Sequence, residues 1–464
     1  MNTVEKLPFW KQAMFALGQM GWSLASYSVA NLIAYFYLPP EGQGQSLFPA
    51  FIYQGYIFGS LTIIGLINAF SRIFDAITDP IVAGLSDRSR FRLGRRRTFL
   101  IISFAPFVIT SILVFVPLVP YQSPINVIWL TVMILLYYWF FTLFCTPYNA
   151  WLSELGHTPE ERLNLATWIS ITWALGFALG NTIYLVQGIF EKSGFSSLHS
   201  FQLALVIYGV IALILMALPI ITIDENRYCE RHVSTEGSFE AVISAFKNKN
   251  FFYFTLSDFA YWVALTFIQS GIVYYTTVLL GLEKAHATTF MTVMFVLSFL
   301  FYVPINLIAK AIGKKLMLSI AFILFSMVFV LVFWLGKFPL FPFWQGIMLV
   351  VLASLPIAIF GILPNAIVAD IADADGKQNG NYKAAVFFGA RTFMMKMGIA
   401  FTNLLFPSII NLGRSTENDV GVRLTGVVAF VFCLLGLVFF LLYREKEILS
   451  IISSSQTSGS QKTR

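Results

Sequence analysis

Two aspartates and an arginine lie in a stretch that is otherwise largely apolar before its basic end. Residues 70–97 read FSRIFDAITDPIVAGLSDRSRFRLGRRR, which places Arg72, Asp75 and Asp79 at positions i, i+3 and i+7. On an α-helix this spacing puts all three side chains on one face. One arginine can neutralise one carboxylate, so a bound Na+ or a proton would supply the positive charge that is still missing. The alternative interpretation is a structural salt bridge between Arg72 and Asp75 that holds helices together.

Composition indicates which elements position these charges. The chain has 464 residues, of which 58% are hydrophobic and 11% charged, and this is too apolar for a water-soluble fold of its size. The sequence therefore predicts an all-α membrane protein with twelve transmembrane helices in two six-helix bundles. The predicted spans are residues 10–38, 50–86, 98–118, 125–153, 163–190 and 200–223, followed by 251–281, 286–309, 316–336, 342–369, 384–412 and 422–443.

The two aspartates are predicted to lie deep in the second span. With a membrane boundary near Asp87, Asp79 and Asp75 are 8 and 12 residues inside, or roughly 12 and 18 Å at about 1.5 Å per residue. These depths straddle the middle of a hydrocarbon core about 30 Å thick. An ionised carboxylate there costs on the order of 3 kcal/mol. We therefore expect this helix face to contact a wet cavity, a cation or a partner.

A polar segment divides the chain into halves. It reads DENRYCERHVSTEGSFEAVISAFKNKN at 224–250, and the terminal SSSQTSGSQKTR has no apolar content to bury. We expect an N-terminal bundle at 1–223, a cytoplasmic central loop at 224–250, a C-terminal bundle at 251–444 and a disordered cytoplasmic tail at 445–464. No cleavable signal peptide is predicted, because the first apolar run is too long and lacks a small-residue cleavage pattern.

The loop after the second span is strongly basic. The loops after the first and third spans hold no Lys or Arg, whereas this loop holds Arg88, Arg90, Arg92, Arg95, Arg96 and Arg97. Because cytoplasmic loops are enriched in Lys and Arg, we expect this loop and both termini to be cytoplasmic. The same bias accounts for the net charge of +7 without a nucleic-acid partner. The expected location is the cell (inner) membrane, and the expected partners are the bilayer and a small-molecule substrate, with the monomer as the functional form.

The two halves share a faint internal repeat. Gly94-Arg95-Arg96 after the second span has a counterpart in Gly313-Lys314-Lys315 after the eighth. Parallel six-helix repeats are typical of transporters. The alternative is that two cytoplasmic loops are basic for topological reasons alone.

Other chemistry is sparse in the sequence. The three cysteines are far apart and the four histidines form no ligand spacing, so no metal other than a candidate Na+ and no cofactor is predicted. The chain has neither a phosphate-binding glycine loop nor a nucleophile elbow. We therefore do not expect an enzyme.

Three segments resemble a known family of membrane transporters. They are RIFDAITDPIVAGLSDRSRFRLGRRR at 72–97, TLFCTPYNAWLSEL at 142–155 and ILPNAIVADIADADGKQNGNYKAAVFFGARTFMMK at 362–396. Together they are similar to the glycoside-pentoside-hexuronide:cation symporters, the melibiose permease group of the major facilitator superfamily. The resemblance covers essentially the whole chain, although the third segment is degraded. It implies twelve helices in two bundles, a central site and alternating access.

The resemblance assigns roles to individual residues. Asp75 and Asp79 match the family's cation-site carboxylates, and Thr142 matches a hydroxyl beside that site, which suits the oxygen preference of a hard cation. The alternative for Thr142 is a hydrogen bond to its own helix. Lys396 matches a lysine in the eleventh helix that would pair with the carboxylates in one conformation. Its alternative is to extend toward the cytoplasmic end of the helix.

The sequence also departs from the family pattern. Sugar-binding aspartates of the first and fourth helices are replaced by Ser23 and Cys145, and an acidic residue before the eleventh helix is replaced by Ala384. We expect the remaining acids Asp370, Asp373 and Asp375 to cap helix ends rather than bind metal. The residues proposed to line the substrate cavity are Trp22, Ser23, Tyr27, Cys145, Tyr148 and Asn149, and for the aromatic ones among them packing is the favoured alternative.

The basic turn resembles the cytoplasmic latch of the superfamily. The matching residues are Gly84, Asp87, Arg88, Gly94, Arg95 and Arg96. We expect Asp87 to pair with an arginine or to cap a helix end when the cavity is open outward.

Three functions remain open from the sequence. The first is cation-coupled symport of a sugar or glycoside-like solute, with Na+ or H+ as the coupling ion. The second is symport of an amphipathic solute such as a lysophospholipid, since a distant branch of the superfamily keeps the cation aspartates with an apolar pocket. The third is a membrane protein that does not transport.

Overall fold

The computed structural model describes residues 5–42, 45–57, 61–89, 91–156, 159–229, 245–379 and 384–452. The described part is almost entirely helical, apart from two short β-hairpins between the first helices. Parts of the central loop and of the predicted tail, at 230–244 and 453–464, lie outside these residues.

The first half of the chain contains nine helices and four short strands in its described part. The helices are α1 Phe9–Asn31, α2 Ile33–Tyr37, α3 Ile63–Arg88, α4 Arg95–Leu113, α5 Pro124–Leu155, α6 Pro159–Asn181, α7 Ile183–Lys192, α8 Ser197–Thr222 and α9 Glu225–Tyr228. The strands pair antiparallel, β1 Glu41–Gly42 with β2 Gln45–Ser46 and β3 Tyr56–Ile57 with β4 Leu61–Thr62.

The second half is a series of long helices. They are α10 Lys249–Tyr274, which continues as a π-helical turn at Tyr275–Leu279, then α11 Ala285–Ile312, α12 Lys314–Trp334, α13 Pro342–Asn379, α14 Ala384–Ile410 and α15 Val420–Leu441. A final helical stretch covers 445–452.

Within the described residues, ten helical segments are long and apolar enough to cross a membrane. The helices α1 and α3 are not among them, although they have 23 and 26 residues. The charges Arg72, Asp75 and Asp79 lie inside α3 and lower its hydropathy. The chain is an integral, multi-pass membrane protein.

The predicted second span differs from the observed helix at its start. Residues 50–62 belong to the predicted span because they are apolar, yet 50–55 are irregular, Tyr56–Ile57 pairs with Leu61–Thr62 as strands, and α3 begins only at Ile63. The Thr62 side chain accepts a hydrogen bond from the Gly65 N–H at 3.2 Å and so caps the helix. Apolar composition alone does not distinguish a hairpin from a helical turn here.

The chain forms two compact units. One comprises Met1–Gly237 with Lys284–Thr288, and the other Ser238–Glu283 with Thr289–Arg464. The division falls inside the segment 224–250 that separates the halves of the sequence. Lys284 and the first residues of α11 thus belong to the first unit. There Lys284, which directly precedes α11, forms an ion pair of 2.7 Å with Glu191.

Small residues let the helices of the first unit approach one another closely. The helix α1 packs against α6 and α8. A Cβ atom on Gly21 would lie 2.8 Å from Met216, and one on Gly176 would overlap the Ser23 hydroxyl. Close backbone contact of this kind is a common basis of helix association in membranes.

Candidate cation site and basic turns

Asp75 is fully buried at the contact between α3 and α5. Its relative exposure is 0%, as is that of Thr142 on α5. The Thr142 hydroxyl donates a hydrogen bond of 3.1 Å to Asp75 Oδ1. The hydroxyl oxygens of Thr78 and Thr142 are 3.3 Å apart. Sequence resemblance therefore pointed to a hydroxyl that the structure places on the carboxylate, rather than only on its own helix.

The same contact recurs one helical turn further along. Thr146 donates a hydrogen bond of 3.3 Å to Asp79 Oδ1. Both pairs are separated by 67 residues in the sequence, so α3 and α5 run in the same direction with matched register. Two carboxylates on one helix thus face two hydroxyls on the other. The family resemblance gives no role to Thr146, although the four-residue spacing of Thr142 and Thr146 repeats that of Asp75 and Asp79.

Arg72 lies beside the carboxylates without a short contact to them. Its Nη1 atom is 3.7 Å from Asp75 Oδ2, which is longer than a good charged hydrogen bond. Its guanidinium carbon is 5.0 Å from the centre of the Tyr138 ring, in a cation–π contact. The Arg72 Nε atom is buried with no hydrogen-bond partner among the described residues. The positive charge of Arg72 therefore offsets the negative charge of the carboxylates mainly by electrostatic attraction, not by short hydrogen bonds.

These side chains could hold a small hard cation. Two carboxylates and two hydroxyls supply the oxygen ligands that such cations prefer. The carboxylates carry one more negative charge than Arg72 neutralises, and an extra positive charge is favourable in a buried site. Among the described residues, no group of three His, Cys, Asp or Glu side chains that could hold a metal ion is found. The threonine hydroxyls are therefore an essential part of the candidate ligand set.

The basic turn before α4 is held by two glutamates from other parts of the chain. Gly94 has a φ of 108°, a conformation that favours glycine. Glu225 accepts hydrogen bonds of 2.8–3.1 Å from the backbone N–H groups of Arg95, Arg96 and Arg97. Glu154 accepts from the side chains of Arg95 and Arg96 at 2.7–3.0 Å. Burial raises the pKa of Glu225, and the hydrogen bonds from the backbone N–H groups oppose that shift.

The second unit repeats this arrangement. Gly313 has a φ of 90°. Glu445 accepts hydrogen bonds of 3.0 and 3.2 Å from the N–H groups of Lys314 and Lys315. The Lys314 ammonium group lies 2.5 Å from an Asp370 oxygen. Each half thus has a glycine with positive φ, a carboxylate at the following helix N-terminus and a second carboxylate on a basic side chain, which supports a true internal repeat.

The end of α3 carries three of the latch residues, Gly84, Asp87 and Arg88. The helix α3 ends at Arg88, but the side chains of Asp87 and Arg88 lie outside the described part of the structure. A Cβ atom on Gly84 would have nothing within 4 Å. Arg96 also donates a hydrogen bond of 2.7 Å to the Ser86 hydroxyl, which joins the end of α3 to the start of α4. The role of Asp87 stays a prediction.

Most of the proposed cavity residues are packed in this conformation. Ser23 and Tyr27 are buried, and Ser23 bonds to the Trp173 carbonyl at 3.1 Å. Cys145 and Tyr148 are buried as well, and Tyr148 bonds to the Phe15 carbonyl. Their role in a substrate cavity stays a prediction.

Two of the proposed cavity residues, Trp22 and Asn149, are at least partly accessible to solvent. Asn149 is exposed and Trp22 is partly exposed. The Trp22 Nε1 atom is nevertheless buried with no hydrogen-bond partner among the described residues. These two side chains are therefore the more accessible members of the predicted set.

Lys396, the predicted charge partner, lies on α14 and is buried, with 8% exposure. Its role stays a prediction.

The second unit also contains an ion pair that the sequence did not predict, between Arg391 on α14 and Asp258. Seven residues after the start of the same helix, Arg391 donates hydrogen bonds of 2.9 and 3.1 Å to Asp258 on α10. The signal was available, because a lone acid within an apolar span is a candidate functional residue. The side chain of Ala384 lies outside the described part of the structure.

The remaining acids of α13 make polar contacts near its end. Asp373 accepts a hydrogen bond of 2.9 Å from Lys377, and Asp375 accepts one of 3.0 Å from Asn248. These contacts, like that of Asp370, are with basic or amide side chains.

The fold is shared with solved structures of membrane transporters. The crystal structure of the nucleoside transporter NupG is similar with a TM-score of 0.63 and 14% identity, covering 96% of this chain and 99% of that one. The D-xylose-proton symporter has a TM-score of 0.63 and 16% identity, with 94% and 96% covered. At these identities the likeness concerns the fold alone.

Sequence comparison identifies the family. The model of the MFS/sugar transport protein family matches residues 14–444, and the chain belongs to this family. The inner membrane symporter YicJ of Escherichia coli (strain K12) is 23% identical over 380 residues, covering 75% of this chain and 74% of YicJ. The resemblance to the glycoside-pentoside-hexuronide:cation symporters is thereby confirmed, as is the expectation of a transporter rather than an enzyme.

Proposed function

We propose that this protein couples the symport of a sugar or glycoside to the movement of Na+ or H+ by alternating access. The observation that carries the proposal is the pair of contacts Asp75–Thr142 and Asp79–Thr146 within the membrane-spanning part of the first unit. Family membership favours a sugar over an amphipathic solute such as a lysophospholipid. No cofactor beyond the coupling ion is invoked.

The cation and the carboxylates are proposed to form one neutral cluster. With a cation between the four oxygens, the charges of Arg72, Asp75, Asp79 and a monovalent ion add to zero. Without the cation, the site carries a net negative charge in a low-dielectric region, which is costly. The empty site then favours a conformation in which water or another positive charge compensates the carboxylates, and this preference links cation binding to the conformational equilibrium.

The proposed topology adds α1 and α3 to the ten apolar spans. This gives twelve transmembrane helices in two six-helix bundles, with both termini in the cytoplasm. The proposed location is the inner membrane of the cell, and the proposed functional form is the monomer. The excess of basic residues in the turns at Gly94 and Gly313 supports this orientation. In this topology the two glutamate-capped turns lie on the cytoplasmic side.

The proposal is tested by uptake into proteoliposomes that contain the purified protein. Labelled D-xylose, D-glucose and their methyl glycosides are offered under an inward Na+ gradient or an inward pH gradient. We expect at least one sugar to accumulate above its external concentration under one gradient, and to equilibrate when an ionophore dissipates that gradient. Equilibration without accumulation under both gradients, for every sugar, would contradict coupled symport. Accumulation under only one of the gradients identifies the coupling ion.

A further inference from the structure

Arg391, Asp258 and Asn365 form a hydrogen-bonded group on three helices of the second unit. The Arg391 Nε and Nη2 atoms donate to the two oxygens of Asp258, which is a bidentate arrangement. The third nitrogen, Nη1, donates a hydrogen bond of 2.5 Å to the Asn365 side-chain oxygen on α13. The guanidinium group is therefore fixed in position from two sides.

The group lies well inside the membrane-spanning segments. Asp258 is nine residues beyond the start of α10 at Lys249, or roughly 14 Å at about 1.5 Å per residue. Asp258 has a side-chain exposure of 1% and Arg391 of 13%. The alternative to a functional role is that this bidentate pair only holds α10 and α14 together. Buried ion pairs, however, contribute little to the free energy of unfolding.

The side of the group that carries Asn365 is accessible. Asn365 is an exposed residue, and its bond with Arg391 Nη1 lies at the surface of the unit. A guanidinium edge and an amide that face hydrocarbon would be very costly. We therefore expect this surface to face a water-filled region rather than lipid, where its polar atoms are open to a dissolved ligand.

An aromatic side chain, Trp262, lies one helical turn from Asp258. The two residues are on the same face of α10. Gly398, two turns after Arg391 on α14, lets the two helices approach, since a Cβ atom there would be 3.2 Å from the Trp262 Cβ atom. Trp262 is partly exposed, and its buried Nε1 atom has no hydrogen-bond partner among the described residues. A donor without a partner is unusual in a folded protein, and it leaves the indole ring without a hydrogen bond that fixes its orientation.

We propose that Arg391, Asn365 and Trp262 form a subsite of the second unit for the ring of a neutral sugar. Arg391 donates to ring hydroxyls, Asn365 donates and accepts, and the Trp262 ring packs on the C–H face of the sugar. Asp258 holds the guanidinium in place and neutralises its charge, so a carboxylate-bearing sugar gains no net ionic attraction. The inference rests on the proposed function. In it, Arg391 and Asn365 supply the hydrogen bonds to the sugar that Ser23 and Cys145 do not provide.

The proposal is tested by binding to the purified full-length protein. Thermal shifts with D-xylose, D-glucose, their methyl glycosides and D-glucuronate first select the best neutral ligand, and isothermal titration then gives its affinity. We expect Arg391→Lys to weaken binding of that ligand about tenfold, which corresponds to about 1.4 kcal/mol. Lysine cannot reproduce the bidentate geometry of the guanidinium group. Trp262→Phe should weaken it less than Trp262→Ala.

A matched control is available within the same unit. Arg423 donates hydrogen bonds of 2.9 and 2.7 Å to Asp419, and Arg423→Lys should leave the sugar affinity unchanged. The shift of melting temperature produced by the coupling cation shows that each variant is folded. Unchanged affinity in both Arg391→Lys and Trp262→Ala overturns the subsite, as does binding of D-glucuronate in preference to every neutral sugar. Failure of the proposed function is distinct, because it appears as the absence of gradient-driven accumulation by the unmodified protein.

Discussion

Thr142 donates a hydrogen bond of 3.1 Å to Asp75, a residue that lies 67 positions earlier in the chain. Both side chains are completely buried. The bond uses one oxygen of the carboxylate, and the hydroxyl oxygen keeps lone pairs that a cation can use. Thr142 thus has two roles in the proposed site, to orient Asp75 and to contribute a ligand.

The role of the hydroxyl is tested by two substitutions at position 142. Thr142→Ala should weaken cation binding about tenfold to a hundredfold, because a hydrogen bond to a charged group contributes about 1.5–3 kcal/mol. Thr142→Ser keeps the hydroxyl and should weaken it much less. Cation affinity is measured from the concentration dependence of the thermal shift. Equal affinities of the alanine and serine variants would show that the hydroxyl is not a ligand.

Glu225, which caps the start of α4, should make stability depend on pH with a defined sign. Burial raises the pKa of Glu225 above the usual glutamate value of 4.5. As the pH falls through the folded pKa, the folded protein takes up the proton before the unfolded chain does, so this group stabilises the fold on acidification. The melting temperature of the unmodified protein relative to Glu225→Gln should therefore rise as the pH is lowered from about 7 toward about 5. A fall of that difference over the same interval would contradict the raised pKa.

The latch should control the rate of transport rather than substrate affinity. Glu154 accepts hydrogen bonds from both Arg95 and Arg96, and Asp87 is expected to act at the same turn. Glu154→Gln and Asp87→Asn remove charge from the turn without touching the proposed cation or sugar sites. We expect a lower maximal rate of uptake with little change in the substrate concentration at half-maximal rate. An effect confined to the half-maximal concentration would count against a latch.

Melibiose should be a poor substrate. The family resemblance implies that carboxylates hold the sugar in melibiose permeases, where each bond to a charged acceptor would contribute about 1.5–3 kcal/mol. Ser23 here is engaged with the Trp173 carbonyl and Cys145 is buried, so neither replaces such an anchor. The loss of two anchors should weaken melibiose at least about a hundredfold. Calorimetry in saturating Na+ that gave a sub-millimolar dissociation constant would refute this.

Helical spacing was sufficient to predict part of the site from the sequence. The positions of Arg72, Asp75 and Asp79 on one face follow from their spacing, and Thr142 from a family resemblance. Thr146 was missed because a threonine in an apolar helix normally bonds to its own backbone. Its contact with Asp79 depends on the register of two helices 67 residues apart, which a single sequence does not encode visibly.

Other features depend on tertiary structure that hydropathy does not reveal. Glu225 and Glu445 cap helices that begin about 130 residues earlier in the chain, and the order of residues gives no sign of these pairings. Apolar composition predicts a helix over 50–62, whereas Tyr56–Ile57 and Leu61–Thr62 pair as strands. By contrast, Asp258 and Arg391 are visible in the sequence as charges within apolar spans, although no spacing rule connects two residues on such distant helices.

The most direct test of the cation site uses the two aspartates. Asp75→Asn and Asp79→Asn keep the size of each side chain but remove the charge that the cation would balance. Each variant is reconstituted and compared with the unmodified protein for uptake driven by a cation gradient and for exchange of labelled against unlabelled sugar at equilibrium. The expected result is that both variants reach the membrane folded and lose accumulation above the external concentration. If both variants still accumulate the sugar as the unmodified protein does, Asp75 and Asp79 are not the coupling site.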